Sequence, residues 1–552
     1  MTGLPEVGDF YTPMEVTGFR ATGQWIEETP PTILEQLAFE RPDDVFAIDS
    51  VGTLTYREFR DRAWRLAGAM QRLGVARGDC VIVQLPNWNE LLIAMMAVTR
   101  AGAVLVPAMT TYRADEIEFL IDNTGARAAI TTGVFRGFDH AAMLSDALGR
   151  RTSLELGVLV RGHALPGMHR FEDLISGTEE PEEPELGPMP NPDAPHIVLH
   201  TSGSESQPKG CVHSYNTAAF TSRAVEQHHA WTPADRSFGP SPVAHSNGYI
   251  NHYLVPLRAG ASTVLMEKWD PRLAIDLVDE HRCTVTVTST TFLSTLIETR
   301  RDGDDLSSMR LWVASGTVIP PEVVRRARLA MPDCEVLSQY GRSENLLTTL
   351  CPSGTDPGRA LTSDGLVPPG IDVMLFDGDG QQVVVGPGEV GYRGPGHMLG
   401  YVRRPDLTQA MINSAGYSLS GDLGEFDADG FLRITGRIKD IIIRGGVNIS
   451  AREVEDHLLT HPAVHDVAVV AMPDPRLGER ACAFVVAEAG AQIDLDQICT
   501  YLRDERGISV QKLPERLELI EVMPISPTGK IDKADLRRRV REDDTDHHRT
   551  LA

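Results

Sequence analysis

From Thr55 onward the chain repeats one alternation for several hundred residues. Strand-like apolar runs (Cys80 to Leu85, His196 to Leu199, Thr284 to Thr288, Arg310 to Ala314) come between helical patterns such as Thr55 to Leu73. That rhythm dictates a large α/β domain, because parallel strands need a crossover, usually a helix, to return to the same edge. It changes around Gly436 to Asp440. Beyond lie a helical stretch from Arg452 to Thr460, strands at Asp466 to Met472 and Ala481 to Ala487, and a helix near Leu495 to Arg506. The expected division is therefore a large unit, 1–436, and a compact α+β unit, 437–552. A chain of 552 residues also exceeds what one core normally supports, roughly 250 to 300. A short link between a large and a small unit favours hinge motion. Two further breaks, the Pro- and Glu-rich stretch from Ser176 to Pro195 and the turn Asp377-Gly-Asp-Gly380, fall within the large unit.

Charge narrows the partners. Lys and Arg total 52 against 77 Asp and Glu, a net −25. With no basic cluster, a duplex nucleic acid is excluded as a partner, though a local cationic pocket is not. No apolar stretch approaches the roughly 18 residues that span a bilayer, and Met1 to Phe10 lacks a basic region followed by an apolar one, so a cytoplasmic protein is expected. The seven cysteines are scattered, odd in number and never in a Cys-x-x-Cys pair, which supports neither a disulfide framework nor a zinc site.

The segment His200-Thr-Ser-Gly-Ser-Glu-Ser-Gln-Pro-Lys-Gly210 follows an apolar run. Small residues let backbone N–H groups approach an anion, hydroxyls add donors, and Lys209 adds a point charge suited to phosphate. It is not a Walker loop, and read alone it is either a phosphate cradle or a surface turn. In sequence order follow Gln339-Tyr-Gly-Arg-Ser-Glu344, Ser420-Gly-Asp422, Gly436-Arg-Ile-Lys-Asp440 with Arg444-Gly-Gly446, and Pro524-Ile-Ser-Pro-Thr-Gly-Lys530. Together these resemble the adenylate-forming superfamily, which includes acyl-CoA synthetases, nonribosomal adenylation domains and luciferases. Gln84-Leu-Pro-Asn-Trp88, Lys268-Trp-Asp-Pro271 and Lys439 to Gly446 more narrowly resemble the cyclohexanecarboxylate and aryl-acid CoA ligases.

The resemblance implies a multi-sheet α/β body with a small mobile C-terminal α+β domain, and ATP, Mg²⁺ and CoA as cofactors. It implies phosphate contacts from Thr201, Ser202, Gly203, Ser204 and Lys209, and further nucleotide contacts from Gln339, Tyr340 (stacked on adenine), Gly341 and Ser343. Glu344 would hold Mg²⁺, since a hard cation favours carboxylate oxygen. Asp422 would accept ribose hydroxyls, and Arg437 would grip ribose or phosphate from across the domain boundary. Lys530 would bridge the substrate carboxylate and the α-phosphate, where a positive charge helps two anions react. Lys439 would be the hinge, and Gly445 and Gly446 the channel for pantetheine. His245 would stand near the acyl pocket as a third catalytic candidate beside Lys530 and Glu344. That pocket is expected to draw on His245 to Tyr249, Ser289 to Phe292 and Ser315-Gly316-Thr317, the last also a nucleotide contact. Its small polar residues suit a ring acid better than a long alkyl chain.

Two departures stand out. Glu205 and Ser206 occupy positions where the family usually has Thr-Gly, and a carboxylate about 4 Å from a phosphate charge is repelled by about 4 kcal/mol at an effective dielectric near 20. Arg342 occupies a slot usually small or apolar, where it pairs with Glu205 or meets a polar or anionic group of the substrate. The leading expectation is ATP-dependent activation of an aromatic, alicyclic or medium-chain acid, then transfer to CoA. The alternatives keep adenylation but pass the acid to a carrier protein or an amine, including nitrite activation for diazotisation of an arylamine, or reduce the protein to a non-catalytic adenylate binder. The acid, the acceptor and the oligomeric state, a homodimer included, are not legible.

Overall fold

The computed structural model describes residues 3–163, 165–176, 186–201, 208–315, 321–526 and 530–550, without side chains at 321–322 and 542–550. Two eight-stranded sheets form the body. In the first, five consecutive pairings are parallel, running from Glu335–Tyr340 through Leu311–Ser315, Val285–Thr288, Arg236–Gly239 and Ser262–Leu265 to Val45–Ile48. Antiparallel strands Thr349–Leu350 and Thr53–Thr55 close its edges. The second carries parallel pairs from Pro195–His200 through Val104–Pro107, Cys80–Gln84, Ala128–Thr132 and Leu156–Val160 to Met168–Arg170. Its other edge is antiparallel, with Gly210–Ser214 beside Pro195–His200 and Gly400–Tyr401 outside it.

Helices between the two sheets build the main core. Tyr56–Arg72 begins where Thr55 and Glu58 cap each other, the threonine hydroxyl accepting from the Glu58 N–H at 3.2 Å and the carboxylate accepting from the Thr55 N–H at 3.0 Å. Its buried face (Phe59, Ala63, Leu66, Ala67, Met70) recurs at helical spacing against Asn89–Arg100, a helix buried along its whole length.

A third sheet is antiparallel: Gln382–Val383, Asp372–Phe376, Gly388–Arg393, Ser418–Phe426 and Leu432–Arg437. An N-terminal segment is clasped to its neighbourhood. The Tyr11 hydroxyl donates to the Gly394 and His397 carbonyls at 3.0 and 2.8 Å, the Trp25 indole N–H donates to the Pro395 carbonyl at 3.0 Å, and Phe10 stacks on His397.

After a single 3₁₀ turn, Ile438–Asp440, comes a fourth sheet: Val447–Ser450, Ile441–Arg444, Gly478–Ala487 and Val464–Asp474, with Arg516–Leu519 parallel on Gly478–Ala487. Its two faces are covered separately: Ala451–Leu458 and Leu495–Thr500 pack on one, and Lys533–Thr550 on the other. The fold is thus a large multi-sheet α/β body followed by a smaller C-terminal domain. No described helix is long and apolar enough to cross a membrane.

Candidate active site

Parallel strands deliver their carboxyl ends to one place, and open sheets bind ligands there. In the first sheet those ends supply Ser241 after Arg236–Gly239, Ser289 after Val285–Thr288, Ser315 closing Leu311–Ser315, and Gln339 within Glu335–Tyr340. All four line one cleft of about 590 Å³, measured out to its open mouth, which His245, Asn251, Arg342 and Lys530 also border. Lys530 comes from the C-terminal domain and the others from the body, so the cleft lies at the junction of the two.

Gly341 makes the turn beyond Tyr340 feasible. A Cβ there would sit 2.4 Å from the Leu346 carbonyl oxygen, so only glycine lets the strand fold back this tightly. Beyond the turn, Arg342 lies between two carboxylates. Its guanidinium is 2.9 Å from Asp422 Oδ2 and 3.5 Å from Glu344 Oε2. The Tyr340 hydroxyl donates to the same Asp422 oxygen at 2.6 Å, and the Tyr401 hydroxyl to Glu344 Oε1 at 2.8 Å. Burial alone would raise both acids. Arg342 is the largest opposing influence in each case and, with these hydroxyls and with Arg437 at Asp422, holds both below the usual carboxylate range.

Lys530 has the opposite environment. Burial, then the charge of Arg437, lowers its amine from 10.5 to about 8; Asp422 opposes this and Arg342 adds to it. His245, half-buried and facing Lys530, is pushed down to about 4 and is neutral near pH 7. Its Nδ1 accepts from the Asn247 N–H at 3.4 Å, which leaves the proton on Nε2.

Several expected positions fall elsewhere or outside the described residues. Ser202, Gly203, Ser204, Glu205, Ser206, Gly316 and Thr317 lie outside them, including the residue proposed to pair with Arg342. Of that loop, Thr201 and Lys209 close the hairpin through a 3.0 Å backbone bond, and Lys209 Nζ sits 5.2 Å over the Tyr401 ring. Ser343 accepts a 2.7 Å bond from His213 Nε2 through its carbonyl oxygen. Arg437 is not across a boundary from Asp422: the two stand opposite each other in one ladder, with Nε 3.0 Å from Asp422 Oδ1. Tyr249 and Phe292 turn away from the cleft, Tyr249 to His196 and Phe292 to the core beside Trp269, because side chains so large and apolar gain more from burial there. Lys439 is exposed on the 3₁₀ turn Ile438–Asp440, Gly445 and Gly446 are exposed at the turn after Ile441–Arg444, and none of the three lines the cleft. Both glycines have positive φ, +55° and +85°.

Sequence reasoning missed Tyr401 and Asn251. No local pattern marks Tyr401. Asn251 had a signal, a polar residue inside the apolar run Tyr249 to Leu257.

The donor set suits a nucleotide with a hard cation. Buried Asp422 Oδ1 meets the Arg437 guanidinium at 3.0 Å but accepts no hydrogen bond, so it has acceptor capacity left for a hydroxyl. Among the described residues no group of three or more His, Cys, Asp or Glu gathers to hold a metal. A cation binding here would rest on Glu344 and on phosphates brought with it, the usual arrangement for Mg²⁺.

Comparison with known proteins agrees with this geometry. Residues 34–402 match the family described as AMP-binding enzyme, and residues 453–530 match the AMP-binding enzyme C-terminal domain. The chain is 31% identical to the medium-chain fatty-acid–CoA ligase of Escherichia coli strain K12, covering 95% of this chain and 93% of that one. It is 30% identical to the 2,3-dihydroxybenzoate–AMP ligase of Bacillus subtilis strain 168, covering 95% and 96%. Among solved structures, an amide bond synthetase from Marinactinospora thermotolerans superimposes with a TM-score of 0.80 at 28% identity, over 92% of this chain and 99% of that one.

Proposed function

The chain belongs to the AMP-binding enzyme family, and on that premise we propose that it activates a small organic acid with ATP as the acyl-adenylate and hands the acyl group to the thiol of CoA. The observation that carries the reading is Lys530, delivered by the C-terminal domain into a cleft whose other walls come from the body. A half-buried ammonium there attracts both the acid's carboxylate and the α-phosphate, and so holds together two anions that otherwise repel. The carboxylate oxygen attacks the α-phosphorus, and pyrophosphate leaves.

In this reading Tyr340 packs against adenine, and Asp422 accepts the ribose hydroxyls while Arg437 steadies it. Lys209 and the loop before it meet the outer phosphates. Glu344 holds Mg²⁺, which would neutralise phosphate charge when bound, and Arg342 releases that carboxylate as nucleotide enters. His245, neutral with its proton on Nε2, donates toward the acyl group. We place the joint between domains at Ile438–Asp440, with Lys439 at its centre. Rotation there withdraws Lys530 and brings Gly445 and Gly446 toward the cleft to admit pantetheine. Cytoplasmic residence fits cysteines that are all unpaired among the described residues.

A second reading, with a carrier protein or an amine as acceptor, is favoured by relatives named as an acid–AMP ligase and an amide bond synthetase. Incubation with ATP, Mg²⁺ and a panel of aromatic, alicyclic and medium-chain acids, with and without CoA, separates the two. Acyl-CoA in the mass spectrum supports the first. Pyrophosphate with no thioester supports the second, and no pyrophosphate from any acid refutes both.

A further inference from the structure

Two amide side chains that border the cleft end in unpartnered acceptors. The Asn247 amide donates to the Val287 carbonyl at 2.9 Å. Asn251 in turn donates from Nδ2 to the Asn247 carbonyl at 3.0 Å and to Asn247 Oδ1 at 2.9 Å. Each amide therefore points its donor back toward the sheet, and the chain ends on Asn251 Oδ1. Rotating the Asn251 amide would set an oxygen against two oxygens, so its orientation is fixed. Asn251 is 2% exposed and its Oδ1 has no hydrogen-bond partner among the described residues. Gln339 repeats the situation: it is 6% exposed, borders the same cleft, and its Oε1 is also unpartnered. Asn251 lies on a π-helical turn, Tyr249–Leu254, a distortion that often marks a functional site. Lys530 and Arg342 border the same cleft with positive charge.

Resting on the reading of this cleft as an acid site, we propose that the acid carries a hydroxyl or amino group besides its carboxylate, and that Asn251 Oδ1 or Gln339 Oε1, both lining the cleft, accepts a hydrogen bond from that group. The cationic wall needs only the carboxylate. The acceptor side is different, because its two amide oxygens are already shut away from water without a partner, so a ligand that brings a donor gains a hydrogen bond that a ligand without one does not. Desolvation without a partner is what makes buried polar groups discriminate, on the order of 10- to 100-fold for one lost hydrogen bond. The terminal oxygen is also polarised by the amides behind it, which strengthens the bond it accepts.

Matched pairs test this: benzoate against hydroxy- and aminobenzoates, and cyclohexanecarboxylate against its hydroxy derivatives. Pyrophosphate release and direct binding by calorimetry are measured on the wild-type protein, on Asn251→Leu and on Gln339→Met. The expected result is a preference for the donor-bearing member of roughly 10- to 100-fold in both kcat/KM and affinity. In Asn251→Leu or Gln339→Met that preference collapses while the donor-free acid is handled as well as before, which also shows that the variant is folded. Equal binding of both members of every pair by the wild-type protein overturns the proposal, whatever the turnover. A binding preference with no pyrophosphate from any acid upholds the donor reading and removes the adenylation reading instead.

Discussion

If Lys530 enters the cleft only when the C-terminal domain docks, its charge sets the docking equilibrium. Docked, the amine is lowered from 10.5 to about 8 by burial and by Arg437 and Arg342, which Asp422 only partly offsets. At 1.36 kcal/mol per tenfold in proton affinity, inserting the charged lysine without a ligand costs about 3 kcal/mol, a factor of a few hundred in the docked population. Below pH 8 the lysine is protonated in both orientations and the penalty is complete. Between pH 8 and 10.5 the docked form loses its proton first and the penalty shrinks, and above 10.5 it is gone. Docking of the ligand-free protein should therefore increase as pH rises through that window. Lys530→Met removes the charge, so the variant should dock more fully at pH 7 and show little dependence on pH. Fluorophores at Val385→Cys on the body and Val522→Cys on the small domain, both exposed positions, report the distance by energy transfer. MgATP should drive the wild-type protein closed by supplying the missing anion, and Lys530→Met should release no pyrophosphate. A wild-type distance distribution identical at pH 7 and pH 10, and identical to that of Lys530→Met, would refute the reasoning.

Replacing Arg342 by Gln leaves Asp422 and Glu344 buried without their shared cation, and removing one partner of such a cluster costs about 3–5 kcal/mol. Their stabilising ionisation, present at neutral pH and lost as pH falls, should then be lost at a higher pH, and thermal melting against pH reads both effects; MgATP should restore more stability to the variant than to the wild type. Gly341→Ala has no room beside the Leu346 carbonyl, so pyrophosphate release should fall at least tenfold while far-ultraviolet circular dichroism is unchanged. His245 titrates at about 4 and is already neutral. His245→Asn should leave the shape of the adenylation rate profile from pH 6 to 7.5 unaltered, and a wild-type inflection there that the variant lacks would contradict its placement.

Local signals carried the secondary structure well. The helical pattern expected from Thr55 to Leu73 is the helix Tyr56–Arg72, and the two Asp-Gly steps at Asp377–Gly380 fall between Asp372–Phe376 and Gln382–Val383. Relations across the chain were harder to read. Arg437 and Asp422 sit 15 positions apart and pair because the strands holding them run antiparallel, which no periodicity reports. Arg342 was conspicuous as a cation out of place, yet its partners emerged only when the third sheet brought Asp422 beside Tyr340. Tyr249 and Phe292 show the limit from the other side. Motif proximity put them in the acyl pocket, and the larger gain from burying aromatic surface in the core turned them away.

The clasp around Tyr11 has a cost during synthesis. The Tyr11 hydroxyl and the Gly394 carbonyl it meets are 383 residues apart in the chain. At translation rates of roughly 5 to 20 residues per second, that interval lasts on the order of 20 to 80 s. Throughout it, Phe10, Tyr11 and Trp25 lack the His397, Gly394 and Pro395 partners that complete their packing, although the rings can already cover one another and join the core built by residues 80–212. The nascent chain thus carries an incompletely covered aromatic segment from its earliest emergence until the third sheet begins to form. Chaperone holding at this segment, or a synonymous-codon pause placed before residue 394, should therefore change the yield of folded protein.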